Sequence, residues 1–196
     1  GKKYKDAATW LMETELPGEI AEMPVANIDV KSCEAVSDFD LVFTSLPGDL
    51  AGPTENAFAT EYPVFSKASA HRMDKDVPLI IPEINPGHAE LIRVQQKNRG
   101  WKGFITTDPN CSTIGLALTL APLRQFGIKQ VLVTTMQALS GAGYPGVPSL
   151  DILDNVVPFI SGEEEKMESE AQKILGEFDG EAIKFADFQA SASCNR

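Results

Sequence analysis

The residues best suited to chemistry lie in Thr107-Asp108-Pro109-Asn110-Cys111-Ser112-Thr113. A strand-like piece, Gly103-Phe104-Ile105-Thr106, precedes them, and an apolar helical pattern follows from Ile114 to about Phe126. The Asp-Pro-Asn turn therefore puts Cys111 where a strand hands over to a helix. The first N–H groups of a helix lack intrahelical partners and carry the positive end of its dipole. A thiolate is favoured there, and the thiolate is the nucleophilic form of cysteine. A small buried hydrophobe fits the same residues equally well, since free cysteine is often that.

Other stretches could serve such a nucleophile. Ser140-Gly141-Ala142-Gly143-Tyr144-Pro145-Gly146-Val147-Pro148 is too rich in Gly and Pro for a regular element, and its backbone could approach a ligand closely. Ser161-Gly162-Glu163-Glu164 reads as a capping box opening a helix whose apolar stripe is Met167, Ala171, Ile174 and Leu175. Glu163 lies four residues before Met167 and so falls on the buried side, with Lys166 beside it; Glu164 and Glu165 read as solvated cap residues.

The elements that would position these groups alternate. Asp40–Leu46 reads as a strand buried on both faces, with a helix around Pro53–Thr60, a strand at Pro63–Ser66 and another at Pro78–Pro82. A helix over Ala89–Arg99 leads to the Phe104 strand. Such alternation indicates an α/β unit with a mainly parallel sheet, whose ligands bind beyond the carboxyl ends of the strands. Ser45-Leu46-Pro47-Gly48 and Ser66-Lys67-Ala68-Ser69 sit at those ends, although no GxGxxG fingerprint occurs. A further short strand is expected at Val25–Val30. Beyond Cys111, a helix apolar nearly all round and ended or bent by Pro122 is expected to be buried. It precedes a β-type run over Lys129–Leu139, and Ile183 to Cys194 is strand-like.

The formal charge of −11 argues against nucleic acid and anionic membrane as partners. It requires that cations serving a small anionic substrate be placed locally. No apolar run is long enough to span a bilayer. Cys33, Cys111 and Cys194 form neither a disulfide framework nor a CxxC metal site, so a reducing, cytoplasmic compartment and no metal are expected.

Several phrases together resemble one family. Pro109-Asn110-Cys111-Ser112-Thr113, Gln137-Ala138-Leu139-Ser140-Gly141-Ala142-Gly143 and Gly162-Glu163-Glu164-Glu165-Lys166 are similar to aspartate-semialdehyde dehydrogenases of the archaeal and fungal branch. Asp151-Ile152-Leu153-Asp154-Asn155-Val156-Val157-Pro158 and Cys194-Asn195-Arg196 strengthen the match, which runs in order over essentially the whole chain. The resemblance implies a partial Rossmann-like dinucleotide-binding domain over residues 1–110. An α+β catalytic and dimerisation domain of the glyceraldehyde-3-phosphate-dehydrogenase-like kind would follow over 111–196. It implies NADP-dependent reductive dephosphorylation of L-aspartyl-4-phosphate to L-aspartate 4-semialdehyde, by homodimers or homotetramers.

By the same resemblance Cys111 is the nucleophile and Gln137 orients the acyl group. Arg72 and Asn110 contact phosphate, Glu163 and Lys166 contact the substrate's amino group and phosphate, and Arg196 clamps the α-carboxylate. Ser45, Ser66, Ser140, Gly141, Ala142 and Gly143 fall on the cofactor side. Lys67 departs from the asparagine usual in the family. The family's acid/base histidine corresponds to a position beyond Arg196, and its phosphate loop to one before Gly1. These residues are therefore expected to be the central part of a longer protein and inactive alone. His88 is expected at a helix start or on the surface, and His71 has no catalytic role in the family. Two alternatives stand: a related acyl-thioester reductase such as malonyl-CoA reductase, and a non-catalytic ligand-binding or assembly domain.

Overall fold

The computed structural model describes residues 1–33 and 39–196. The chain divides into two compact units, Gly1–Val36 and Ser37–Arg196. The first carries helix α1 (Tyr4–Ala7), helix α2 (Gly18–Ala21) and a 3-10 turn at Pro24–Asn27. The strand expected at Val25–Val30 does not form. Pro24 opens the 3-10 turn, and only a single antiparallel bridge remains, between Lys3 and Asp29, backed by their 2.9 Å ion pair.

The second unit begins with a wholly parallel sheet in the order β1 (Val42–Thr44), β2 (Pro63–Ser66), β3 (Phe104–Thr107). Helix α3 (Gly48–Ala59) joins the first two strands, starting earlier than expected and keeping Pro53 inside it. Helix α4 (Leu91–Arg99) precedes β3 and ends on Gly100, whose left-handed φ of 68° suits glycine. One sheet face packs Val64 and Ile105 against Phe58 and Ala59 of α3. The other carries a row of rings, Phe43 on Phe65 and Phe65 on Phe104, with Phe43 77% exposed. β1 is thus an edge strand covered on one face, not the doubly buried strand expected.

Pro78–Pro82 also falls short of a strand. Leu79 and Ile81 are buried, but only Leu79 bridges β3, at Thr107. Pro78 and Pro82 have no N–H to donate. The fully buried Gln95 side chain meanwhile binds both the N–H and the C=O of Ile105, ending the ladder there.

Helix α5 (Cys111–Leu120) starts three residues earlier than the apolar pattern suggested, and a 3-10 turn over Ala121–Phe126 replaces its last part at Pro122. It is not buried all round: Thr113, Ala117 and Leu120 are inside, whereas Leu118 and Phe126 are exposed. Strand β4 (Gln130–Met136) runs next, followed by helix α6 (Ser149–Ile152) and helix α7 (Glu163–Ile174). A short antiparallel pair, β5 (Glu177–Phe178) and β6 (Ile183–Lys184), leads to β7 (Gln189–Asn195), which pairs parallel with β4 from Gln130↔Gln189 to Met136↔Asn195. Ala171 and Leu175 of α7 pack with Leu120, Val131 and Phe188, while Ile174 packs with Leu79, Ile81 and Ala117. α7 therefore spans the junction between the Leu79 segment and the β4–β7 pair.

Candidate active site

Cys111 is the first residue of α5 and is exposed. Its neighbour Asn110 is the N-cap: the side-chain oxygen accepts the N–H of Ser112 at 2.9 Å and that of Thr113 at 3.4 Å. The strand-to-helix placement expected from Asp-Pro-Asn is present, and the buried-hydrophobe reading of Cys111 is not.

Cys111 borders a cavity of about 610 Å³, shared with Gly115, Gln137, Ser140, Gly141 and Met167. Gln137 follows β4, and its backbone N–H donates to Asn195 at 2.7 Å, so the end of β7 fixes it opposite α5. The Leu139–Ala142 turn carries Ser140, Gly141 and Ala142, with Gly143 next at φ 71°. A Cβ on Gly141 would stand 3.4 Å from the Arg196 guanidinium, so the arginine lies against bare backbone. Arg196 is held by paired backbone bonds with Val157, of 2.7 and 2.9 Å.

A connected polar cluster lies on the other side of Asn110. Its amide nitrogen donates to both Glu163 carboxylate oxygens at 3.0 Å, and Glu163 also takes the Lys166 ammonium at 3.2 Å. Glu170 accepts the Asn110 backbone N–H at 2.7 Å on one oxygen and Arg72 Nη1 at 3.1 Å on the other. Arg72 is buried, donates from Nη2 to the Lys67 carbonyl at 2.9 Å, and keeps an Nε–H that meets no acceptor among the described residues. Lys173, 1% exposed, donates to the carbonyls of Arg72, Asp74 and Val77 at 2.6 to 2.8 Å. Burial pushes its ammonium down to about 8 despite Asp74, Asp76 and Glu170 nearby. The structure thus gathers Cys111, Asn110, Arg72, Glu163 and Lys166, while Gln137, Ser140 and Gly141 line the cavity and Arg196 lies against Gly141.

Glu170 and Lys173 were not singled out in the sequence, yet a signal existed. Glu163, Lys166, Glu170 and Lys173 recur at three- and four-residue spacing, a polar stripe beside the apolar one. The capping box is absent: Gly162, at φ 72°, is the N-cap and no side chain caps α7. Glu163 is drawn to Asn110 instead, and Glu164 accepts the Cys194 N–H at 3.0 Å rather than standing solvated.

Ser45 is exposed just beyond the carboxyl end of β1. Ser66 is buried at the end of β2, its hydroxyl donating to Glu55 at 2.7 Å and its carbonyl accepting the Asp108 N–H at 3.1 Å, so it is not exposed there as Ser45 is. Lys67 pairs with Asp108 at 2.7 Å. Neither histidine borders the cavity. His71 binds Asp74 at 2.8 Å. His88 is buried rather than superficial, bonded to Asn85 and to the Gly176 carbonyl, and burial pushes its imidazolium down.

The fold is thus an α/β unit whose parallel sheet hands a cysteine to a capped helix. Residues 1–92 match the family model "Semialdehyde dehydrogenase, NAD binding domain", and residues 120–196 match "Semialdehyde dehydrogenase, dimerisation domain". The chain is 53% identical to an aspartate-semialdehyde dehydrogenase of Archaeoglobus fulgidus, over 100% of this chain and 56% of that protein. A malonyl CoA reductase (NADP) of Metallosphaera sedula is 45% identical over 90% of this chain and 49% of its own length. The crystal structure of the Candida albicans aspartate semialdehyde dehydrogenase with NADP matches with a TM-score of 0.82 and 40% identity, over 100% of this chain and 57% of that one. The chain belongs to the aspartate-semialdehyde dehydrogenase family and spans about half the length of the curated relatives it matches.

Proposed function

We propose that the protein containing these residues carries out NADP-dependent reductive dephosphorylation of L-aspartyl-4-phosphate to L-aspartate 4-semialdehyde, serving lysine, methionine and threonine biosynthesis. The observation that carries this reading is the exposed Cys111 at the capped start of α5, with a cation-bearing cluster on one side and a glutamine-lined cavity on the other.

Cys111 Sγ attacks the acyl carbon, the carbon–oxygen bond to phosphate breaks, and phosphate leaves while a thioester forms. Arg72, Asn110 and Lys166 receive the leaving phosphate. Glu163 takes the substrate's ammonium and Arg196 its α-carboxylate, while Gln137 orients the acyl oxygen across the cavity from Cys111. Ser45, Ser66, Ser140, Gly141, Ala142 and Gly143 are assigned to the dinucleotide, which the exposed Ser45 at a strand end and the bare backbone of Gly141 and Gly143 would let approach closely. NADPH bound there would supply the hydride that reduces the thioester. Loss of the sulfur then releases the aldehyde.

We place the domain boundary at 110/111, in the turn ahead of the nucleophile. Homodimers in the cytoplasm are proposed, with homotetramers as the alternative assembly. The 45% identity to a malonyl CoA reductase supports a second reading, reduction of an acyl thioester of coenzyme A at the same cysteine.

The test is trapping of the intermediate. Full-length protein given L-aspartate 4-semialdehyde and NADP, without phosphate, should carry one aspartyl group on Cys111 by mass spectrometry, and phosphate should release it. An unmodified Cys111 under those conditions would count against the proposal.

A further inference from the structure

Glu170 sits in the middle of α7, 1% exposed, and belongs to no role assigned above. Burying a carboxylate is costly unless its oxygens are matched by donors, and both of them are. Burial pushes its carboxyl upward, opposed by the Asn110 N–H and by Arg72.

The two donors it joins are informative. One is the backbone N–H of the N-cap residue directly ahead of Cys111. In a capping box a Glu or Gln three residues into the same helix reaches back to that N–H. In α5 that position is Thr113, which is fully buried and too short to do so. α7 supplies the missing acceptor from outside. The other donor is the guanidinium of Arg72, whose carbonyl is gripped from the same helix by Lys173 at 2.6 Å.

We propose that Glu170 is a positioning residue: its carboxylate ties the Arg72 guanidinium to the start of the nucleophile helix and so sets where an anion sits relative to Cys111. The inference rests on the reading of Arg72 and Asn110 as the phosphate side of the site. Glutamine cannot replace it. The site presents two donors, whereas an amide offers one acceptor oxygen and one donor nitrogen, so either Arg72 or Asn110 loses its partner. Aspartate keeps both acceptors but is one methylene short.

The experiment follows alkylation of Cys111 by iodoacetamide in full-length protein across a range of inorganic phosphate. Peptide mass spectrometry separates Cys111 from Cys33 and Cys194, and thermal unfolding is recorded for each variant. Phosphate should slow alkylation of Cys111 in the wild type. Glu170→Gln should need roughly tenfold more phosphate or greater for equal protection, as expected for the loss of one charge-assisted hydrogen bond. Glu170→Asp should fall between. If Glu170→Gln does not fold, Glu170→Asp decides: a weakened phosphate response supports the proposal and an unchanged one overturns it. A folded Glu170→Gln that is merely less stable, with wild-type protection by phosphate, shows a structural role only and overturns the inference. No protection in the wild type defeats the phosphate-site reading, and the inference with it. In turnover, Glu170→Gln should raise the KM for phosphate more than it lowers kcat.

Discussion

At Cys111 the sulfur is exposed at the first residue of a capped helix, whereas Cys194 is buried beneath Met167 and burial pushes its thiol up. Iodoacetamide near neutral pH should therefore modify Cys111 ahead of both Cys194 and the exposed Cys33. Equal rates at Cys111 and Cys33, read by peptide mass spectrometry, would favour a non-catalytic thiol. Asn110→Ala should cost about 1 kcal/mol in denaturant unfolding, for loss of the cap. It should also weaken phosphate binding, since the proposed phosphate contact at Asn110 is removed, and loosen Glu163, which loses the amide that orients it. Cys111 at the helix start and the inward-facing Glu163 were legible in the sequence because a turn and a helix face are local, although the Asn110–Glu163 contact spans 53 residues. Glu170 was not. Its two partners lie 60 and 98 residues away, and a mid-helix glutamate is solvated unless tertiary structure says otherwise.

Among the elements, α7 does most to define the site, since one of its stripes packs into the core while the other holds Asn110 and Arg72. Lys173→Met should destabilise the fold by about 3–5 kcal/mol, because three buried carbonyls lose their donor. The pH dependence has a fixed sign. Lys173 is lowered from 10.5 to about 8 in the fold, so between those values the unfolded chain binds the extra proton. Wild-type stability relative to Lys173→Met should therefore rise from pH 8 to 10.5, measured by urea unfolding; a fall over that window would contradict the assignment. Gly103 tests the sheet. A Cβ there would collide with the Tyr62 backbone, so Gly103→Ala should lower the melting temperature although Gly103 touches nothing in the cavity. The parallel sheet, α3, α4 and β2 were readable from alternation and apolar runs. The Pro78–Pro82 segment was misread because its hydrophobicity is that of a strand while its prolines and Gln95 remove the ladder. The α7 cap was misread because serine at 161 matches a motif that the left-handed Gly162 displaces.

For the whole molecule, one face of β4 is covered by Val131 packing, while Leu132 and Met136 stand 75% and 72% exposed. With residues 120–196 matching a dimerisation domain, that open face supports pairing of two copies. Sedimentation velocity on full-length protein should give a dimer or a multiple of it, and Leu132→Lys should shift it toward monomer. Among the described residues no helix is long and apolar enough to cross a membrane. Within the −11 chain, Arg72 and Lys166 are paired with Glu170 and Glu163, and Arg196 lies against Gly141. The most direct measurement is NADP-linked oxidation of L-aspartate 4-semialdehyde by full-length protein with and without phosphate, beside reduction of malonyl-CoA. The account predicts turnover that requires both the semialdehyde and phosphate and is lost in Cys111→Ser. Strong activity with malonyl-CoA and none with semialdehyde plus phosphate would contradict it.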